Sequence, residues 1–209
     1  MAKGNPRHLL YRSWPLLLAA LLSTFTGRIT AQAQFRYRQV NLTELTQRAD
    51  IIVQGRVIEA RYEGHPDYPH VPTVAVTLEV EQVLRGAVGQ HYTFREFLAS
   101  ARMPRGKYGY AVGERLLLFL PTPSQYGLSS PLGREQGRFH VFRDTQGNDV
   151  VANEFGNAGL FRNVEQEAAR EGLSLSAKHL RVVSMRRGPA PLEDFISLVK
   201  SLTFLPRTE

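Results

Sequence analysis

The chain has 209 residues and no cysteine, with 26 Lys and Arg against 19 Asp and Glu, a formal charge of +7. Absence of cysteine excludes a disulfide framework, a thiolate zinc site, an iron–sulfur cluster and a cysteine nucleophile. An apolar share of 43% suffices for an ordinary core held by packing alone.

The first 33 residues read as an export signal. Lys3, Arg7 and Arg12 give a basic start, residues 16–22 a short apolar run, and Ala31-Gln32-Ala33 a small-residue cleavage site. The run is shorter than the roughly 20 apolar residues of a membrane span, and a lipid-bearing cysteine is lacking at the cleavage point. A soluble product beginning at Gln34, periplasmic or extracellular and without a stable membrane anchor, is therefore expected. This leader holds Lys3, Arg7, Arg12 and Arg28 and no acid, so the remainder carries only +3. That charge gives no support to a nucleic-acid partner.

Asn41-Leu42-Thr43-Glu44 has capping-box spacing and predicts a short helix with Leu42 and Leu45 on one face. Residues 51–61 form the first strand, with Gly55 marking a bulge or a sharp bend. Residues 73–84 alternate, Val74, Val76, Leu78 and Val80 opposing Thr73, Thr77, Glu79 and Glu81, until the phase slips at Gln82-Val83. Tyr92 and Phe94 oppose Thr93 and Arg95 in a third strand. Residues 116–120 are apolar throughout, as in a strand covered on both faces. Residues 139–142 and 149–151 then flank a hairpin loop, Asp144-Thr145-Gln146-Gly147-Asn148.

Five or six bulged strands with few helices predict a mainly β fold, a small OB-like closed barrel over residues 34–152. Residues 153–209 make a C-terminal extension. Within it, 164–170 predicts a short helix stopped by Gly172, and 180–185 a late strand. Pro191 opens a last helix whose Leu192, Phe195, Ile196, Val199 and Leu202 pack back on the barrel.

Four stretches carry a likeness. Leu45-Thr46-Gln47-Arg48-Ala49-Asp50-Ile51-Ile52-Val53-Gln54-Gly55-Arg56-Val57 is followed by Thr77-Leu78-Glu79-Val80-Glu81-Gln82-Val83-Leu84-Arg85-Gly86. Val112-Gly113-Glu114-Arg115-Leu116-Leu117-Leu118-Phe119-Leu120 and Gln136-Gly137-Arg138-Phe139 come after. The series resembles a group of uncharacterised exported bacterial proteins, whose arrangement is similar to the netrin-like OB barrel of tissue inhibitors of metalloproteinases. The resemblance covers roughly residues 42–152 and implies a fold. The inhibitors chelate protease zinc through an N-terminal cysteine, and with no cysteine here that mechanism does not carry over.

Few residues suggest chemistry. His65, Asp67 and His70 lie in one short loop and could supply three zinc ligands with an open position. Against this, Pro66 and Pro69 stiffen a segment that joins two strands and has ordinary turn composition. Arg102, Arg105 and Lys107 interleave with Tyr108 and Tyr110 in a glycine-containing connection expected to project from the barrel rim. Cations and aromatics in such a loop suit an anionic or protein partner. Ser129 lacks a nucleophile elbow, His140 sits in an alternating strand, and Glu79 and Glu81 read as the wet side of theirs. No phosphate-binding loop occurs.

These patterns together point to an exported, non-enzymatic binding module that recognises an envelope or secreted protein, with no catalytic residue, metal or cofactor assigned. Arg102, Arg105, Lys107, Tyr108 and Tyr110 are its candidate partner-binding residues. A metal-dependent hydrolase on His65, Asp67 and His70 is the first alternative, and a protease inhibitor by analogy of fold the second.

Overall fold

Asn41 starts the first helix as its spacing requires. The side-chain oxygen accepts from the Glu44 N–H at 2.9 Å, capping α1 (Leu42–Arg48). The reciprocal half of the box is absent, because Glu44 pairs with Arg38 and Arg48 instead. The structure, a computed structural model, describes residues 38–98 and 109–207. The expected export signal over residues 1–33, with its expected cleavage site, therefore lies outside the described residues.

Two 14-residue strands follow, β1 (Ile51–Gly64) and β2 (Pro72–Arg85), paired antiparallel. A ladder of that length cannot stay flat, since neighbouring strands twist by roughly 20–25°. The pairing absorbs the strain in three register breaks, which leave Ile58 of β1 and Glu81 and Leu84 of β2 without opposite numbers. Two of these bulges flank Gln82-Val83, where the alternation slips. Gly55 faces Val80 beside the Glu81 bulge, and a Cβ there would stand 2.6 Å from the Glu79 carbonyl oxygen. Close approach of two backbones thus explains that glycine.

The sheet continues with β3 (His91–Phe97), β4 (Arg115–Leu120), β5 (Arg138–Arg143) and β6 (Asp149–Asn153). A two-residue β7 (Ala190–Pro191) completes the order β3-β2-β1-β4-β5-β6-β7, antiparallel at every step. The expected closed barrel is not formed. The sheet is open, with β3 and β7 at its edges. Among the described residues, one backbone bond reaches across the β3 edge, from the Ser129 N–H to the Arg95 carbonyl at 2.8 Å. A single bond does not make a ladder.

Both faces of the sheet are covered, and β4 shows why its run is apolar throughout. Leu117 and Phe119 face one core with Ile52, Phe139, Val151 and α1. Leu116, Leu118 and Leu120 face a second core with Val53, Val57, Val74, Val76, Leu78 and Phe94. The helices α2 (Val164–Arg170), α3 (Ala177–Val183) and α4 (Leu192–Leu202) all serve the first core. Residues Arg38–Glu209 form one compact unit.

In place of the late strand expected over 180–185, residues 180–183 are the end of α3 and Ser184 is its C-cap. Ser176 caps that helix by accepting the His179 N–H, and His179 and Val182 share its buried face. The Ser176 cap and the burial of His179 and Val182 three residues apart outweighed the β-branched pair Val182-Val183. Pro191 opens α4 as expected, and Leu192, Phe195, Leu198, Val199 and Leu202 are buried. Ile196 sits at the flank, and Leu198 takes the central place. Phe195 is the hub, 5.2 Å from the Phe139 ring and 6.2 Å from Phe161.

Candidate functional site

Of the five loop candidates, Arg102, Arg105, Lys107 and Tyr108 lie outside the described residues. Tyr110 is described and is 7% exposed, packed in the second core. Its N–H donates to the Tyr62 hydroxyl at 2.9 Å, and its own hydroxyl donates to Glu96 at 2.6 Å. The Arg138 guanidinium lies 4.7 Å above its ring. Tyr110 therefore anchors its segment to the sheet and offers no ring to a partner.

Around Tyr110 the apolar core gives way to a cluster of charges. Arg138, on β5 beside Leu118, is 1% exposed and lies 2.7 Å from Glu135. That contact is poorly aligned, so the two atoms form an ion pair more than a directed hydrogen bond. Burial pushes the Glu96 carboxyl up to about 6, against the pull of the Tyr110 hydroxyl. Burial also raises Glu135 and holds the Tyr110 phenol well above its ordinary range. For Arg138, burial works downward, but Tyr110, Glu135 and Glu96 outweigh it and keep the cation. One guanidinium thus serves two carboxylates in a poorly solvated place.

Two residues along β5, His140 meets Glu114 at 2.6 Å in a cleft of about 450 Å³ that Arg56, Arg115 and Asp149 also line. Burial would raise Glu114, but the His140 bond and the Ala111 N–H bring it below its usual value. Glu81, one of two wet-side glutamates, is held by Arg115 at 3.0 Å and by Gln54 at 2.7 Å. Ser129 donates its hydroxyl to the Pro121 carbonyl. Among the described residues, no serine or threonine lines the His140–Glu114 cleft.

The His65 loop is built differently from a metal site. His65 is 4% exposed, and its Nδ1 accepts the Asp67 N–H at 3.1 Å. The proton must then sit on Nε2, which donates to the Tyr126 carbonyl at 2.8 Å. Both ring nitrogens are spent, so a metal at His65 would have to displace two bonds. Asp67 and His70 are exposed, and among the described residues no three His, Cys, Asp or Glu are placed to hold an ion.

His65 instead ties the β1–β2 loop to the segment after β4. Tyr68 and Tyr126 come together as a result, ring centroids 5.8 Å apart at 79°, with Tyr68 also 5.2 Å from the His65 ring. The two tyrosines are 43% and 50% exposed. Their loops are well fastened. His65 N–H donates to the Val71 carbonyl, and Gly64 lies so close to Pro69 that a Cβ would stand 2.2 Å from its carbonyl oxygen. Ser124 and Leu128 close the second loop, which Thr122 joins to Asp50.

No protein-family model, curated protein or solved structure matches the chain. The site must accordingly be judged on its own geometry.

An exposed, edge-to-face tyrosine pair on two braced loops is suited to recognition. Tyrosine brings a large apolar face and a polar tip at low ordering cost. Sequence reading missed the pair because Tyr68 and Tyr126 belong to distant loops. The available signal was His65 itself, a histidine between two strands whose prolines already announced a fixed turn. Arg138 was missed for another reason: alternation with Phe139 and Val141 assigns it to a wet face, whereas that face carries the second core.

Proposed function

We propose that the chain is an exported, non-enzymatic binding module that recognises an envelope or secreted protein, with Tyr68 and Tyr126 at the centre of its contact surface. The basic start, apolar run and Ala31-Gln32-Ala33 supply the export signal of this proposal and a periplasmic or extracellular address. The observation that carries the binding role is the solvent-facing pair, fixed by a buried histidine that joins its two loops. Preorganised tyrosines need little ordering on binding and are over-represented among the residues that dominate interfaces.

The hydrolase alternative draws no support from His65, whose nitrogens are both engaged. The inhibitor alternative rests on the likeness to netrin-like barrels over residues 42–152, and the sheet is open. Arg102, Arg105, Lys107 and Tyr108 belong to the proposed surface on composition alone.

Capture from the native envelope fraction tests the proposal. Wild-type chain and a Tyr68→Ala, Tyr126→Ala variant are immobilised side by side. The expected result is a discrete envelope protein retained by the first and lost from the second, at unchanged thermal stability. Identical eluates from the two columns would refute it.

A further inference from the structure

The two edges of the sheet are treated in opposite ways. β7 has two residues, one of them Pro191, which lacks an N–H, and α4 begins directly after it. A short strand with proline is a common means of closing an edge to further pairing. β3 has seven residues, His91–Phe97, with neither proline nor lysine.

Hydrogen-bond parity shows which groups of β3 face outward. Val80 donates to the Gln90 carbonyl, and Leu98 donates to the Pro72 carbonyl, so the even-numbered residues bond to β2. In an antiparallel pair the alternate residues then point their N–H and C=O away from the partner. Those residues are His91, Thr93, Arg95 and Phe97. The Arg95 carbonyl confirms the parity, since it takes its bond from Ser129 on the far side. His91 and Thr93 are exposed, and Phe97 is 48% exposed.

We infer that the β3 edge at His91 and Thr93 is an addition site for an extended segment of the partner protein, which pairs backbone to backbone as an eighth strand. This rests on the binding role proposed above and specifies how the partner is held. Donors and acceptors at two-residue spacing are satisfied by another extended backbone, which makes main-chain bonding the source of affinity. The segment bearing Ser129 already borrows Arg95 in this way and carries Tyr126, so edge and tyrosine pair adjoin through one loop. Antiparallel self-pairing centred on Thr93 would need the Arg95 carbonyl, which Ser129 occupies. Pairing centred on Tyr92 would match His91 with Thr93 of a second copy, so a free chain that sediments as a dimer would overturn the inference.

The test uses a heptapeptide library displayed on phage and selected against the full chain. Thr93→Pro removes one outward N–H without touching a β2–β3 backbone bond, whereas Thr93→Val keeps that N–H. Both variants lose the Thr77–Thr93 hydroxyl bond of 2.9 Å, so the difference between them reads the N–H alone. Selected peptides are expected to lose about tenfold in affinity on Thr93→Pro, the worth of one good hydrogen bond, and to bind Thr93→Val as they bind wild type. They should also slow hydrogen exchange at the Thr93 amide. That measurement needs only wild-type protein and decides the matter if Thr93→Pro fails to fold. Selection of no peptide, equal affinity for Thr93→Pro, or a Thr93 amide already protected in the free chain would each overturn the inference. Peptides indifferent to Thr93→Pro but lost with Tyr68→Ala would overturn the edge and leave the tyrosine surface standing. Peptides lost with Thr93→Pro but indifferent to Tyr68→Ala would uphold the edge and remove the tyrosines.

Discussion

Glu96 should destabilise the fold at neutral pH, and removing its charge should help. Burial lifts its carboxyl from 4.5 to about 6. Because the folded value lies above the unfolded one, folding favours the protonated form. The ionised form therefore costs stability in full above pH 6, and the cost fades as pH falls from 6 towards 4.5. A shift of that size corresponds to roughly 2 kcal/mol. Glu96→Gln is neutral at every pH, and its amide oxygen can still accept the Tyr110 hydroxyl, which donates to Glu96 at 2.6 Å. The expected gain is up to about 2 kcal/mol at pH 7.5 and near zero at pH 4. Urea melts of both proteins at the two pH values measure it, provided the slopes agree. Taking the difference between the proteins cancels the other titrating groups, such as Asp50 and Glu114. Loss of stability at pH 7.5, or a gain equal at both pH values, would refute the account. The first would mean that Arg138 needs both of its carboxylates.

Three further outcomes follow from packing and sequence. Gly55→Ala drives a Cβ to 2.6 Å from a backbone oxygen, so denaturant melts should show a loss of about 1–3 kcal/mol. Phe195→Ala empties the junction of α4 with Phe139 and Phe161 and should cost about 3–5 kcal/mol by the same measurement. Replacing Arg102, Arg105 and Lys107 together with Ala should move stability by no more than about 0.5 kcal/mol per site while weakening retention of the captured partner on a binding sensor.

Periodicity made much of the fold legible. Asn41, Pro191 and the alternation of Val74, Val76 and Leu78 each specified an element through local chemistry that tertiary contacts then reinforced. Closure of the sheet was not legible, because it depends on whether β3 finds another strand. No local spacing encodes that. The bend at Gly55 marked where the hairpin curls and said nothing of how far. The α3 segment failed because Val182-Val183 favours a strand locally while His179 and Val182 favour a helix at longer range. For the site, composition drew attention to exposed-looking cations, while the tyrosine pair depends on a contact between His65 and a carbonyl 61 residues away.

The same arrangement explains why recognition and stability can be altered separately. Strand β4 is committed to two cores at once, so Leu116–Leu120 and the strands beside it have no freedom left for function. Among the described residues, Arg138 is the one fully buried Arg, Lys, Asp or Glu, and Glu135 and Glu96 supply its counter-charge beside the second core. Tyr68, Tyr126 and the outward groups of β3 stand outside both cores, joined to them by the His65–Tyr126 and Ser129–Arg95 bonds. Cutting one such tie should loosen the surface without unfolding the sheet. His65→Ala is the direct case: it leaves Asp67 N–H and the Tyr126 carbonyl without their partner, yet neither lies in a core. Faster protease cleavage near residues 64–71 at a nearly unchanged urea midpoint and slope is expected, because local opening and global unfolding are distinct transitions. A fall in global stability as large as that of Phe195→Ala would show instead that the braced loops belong to the folding core.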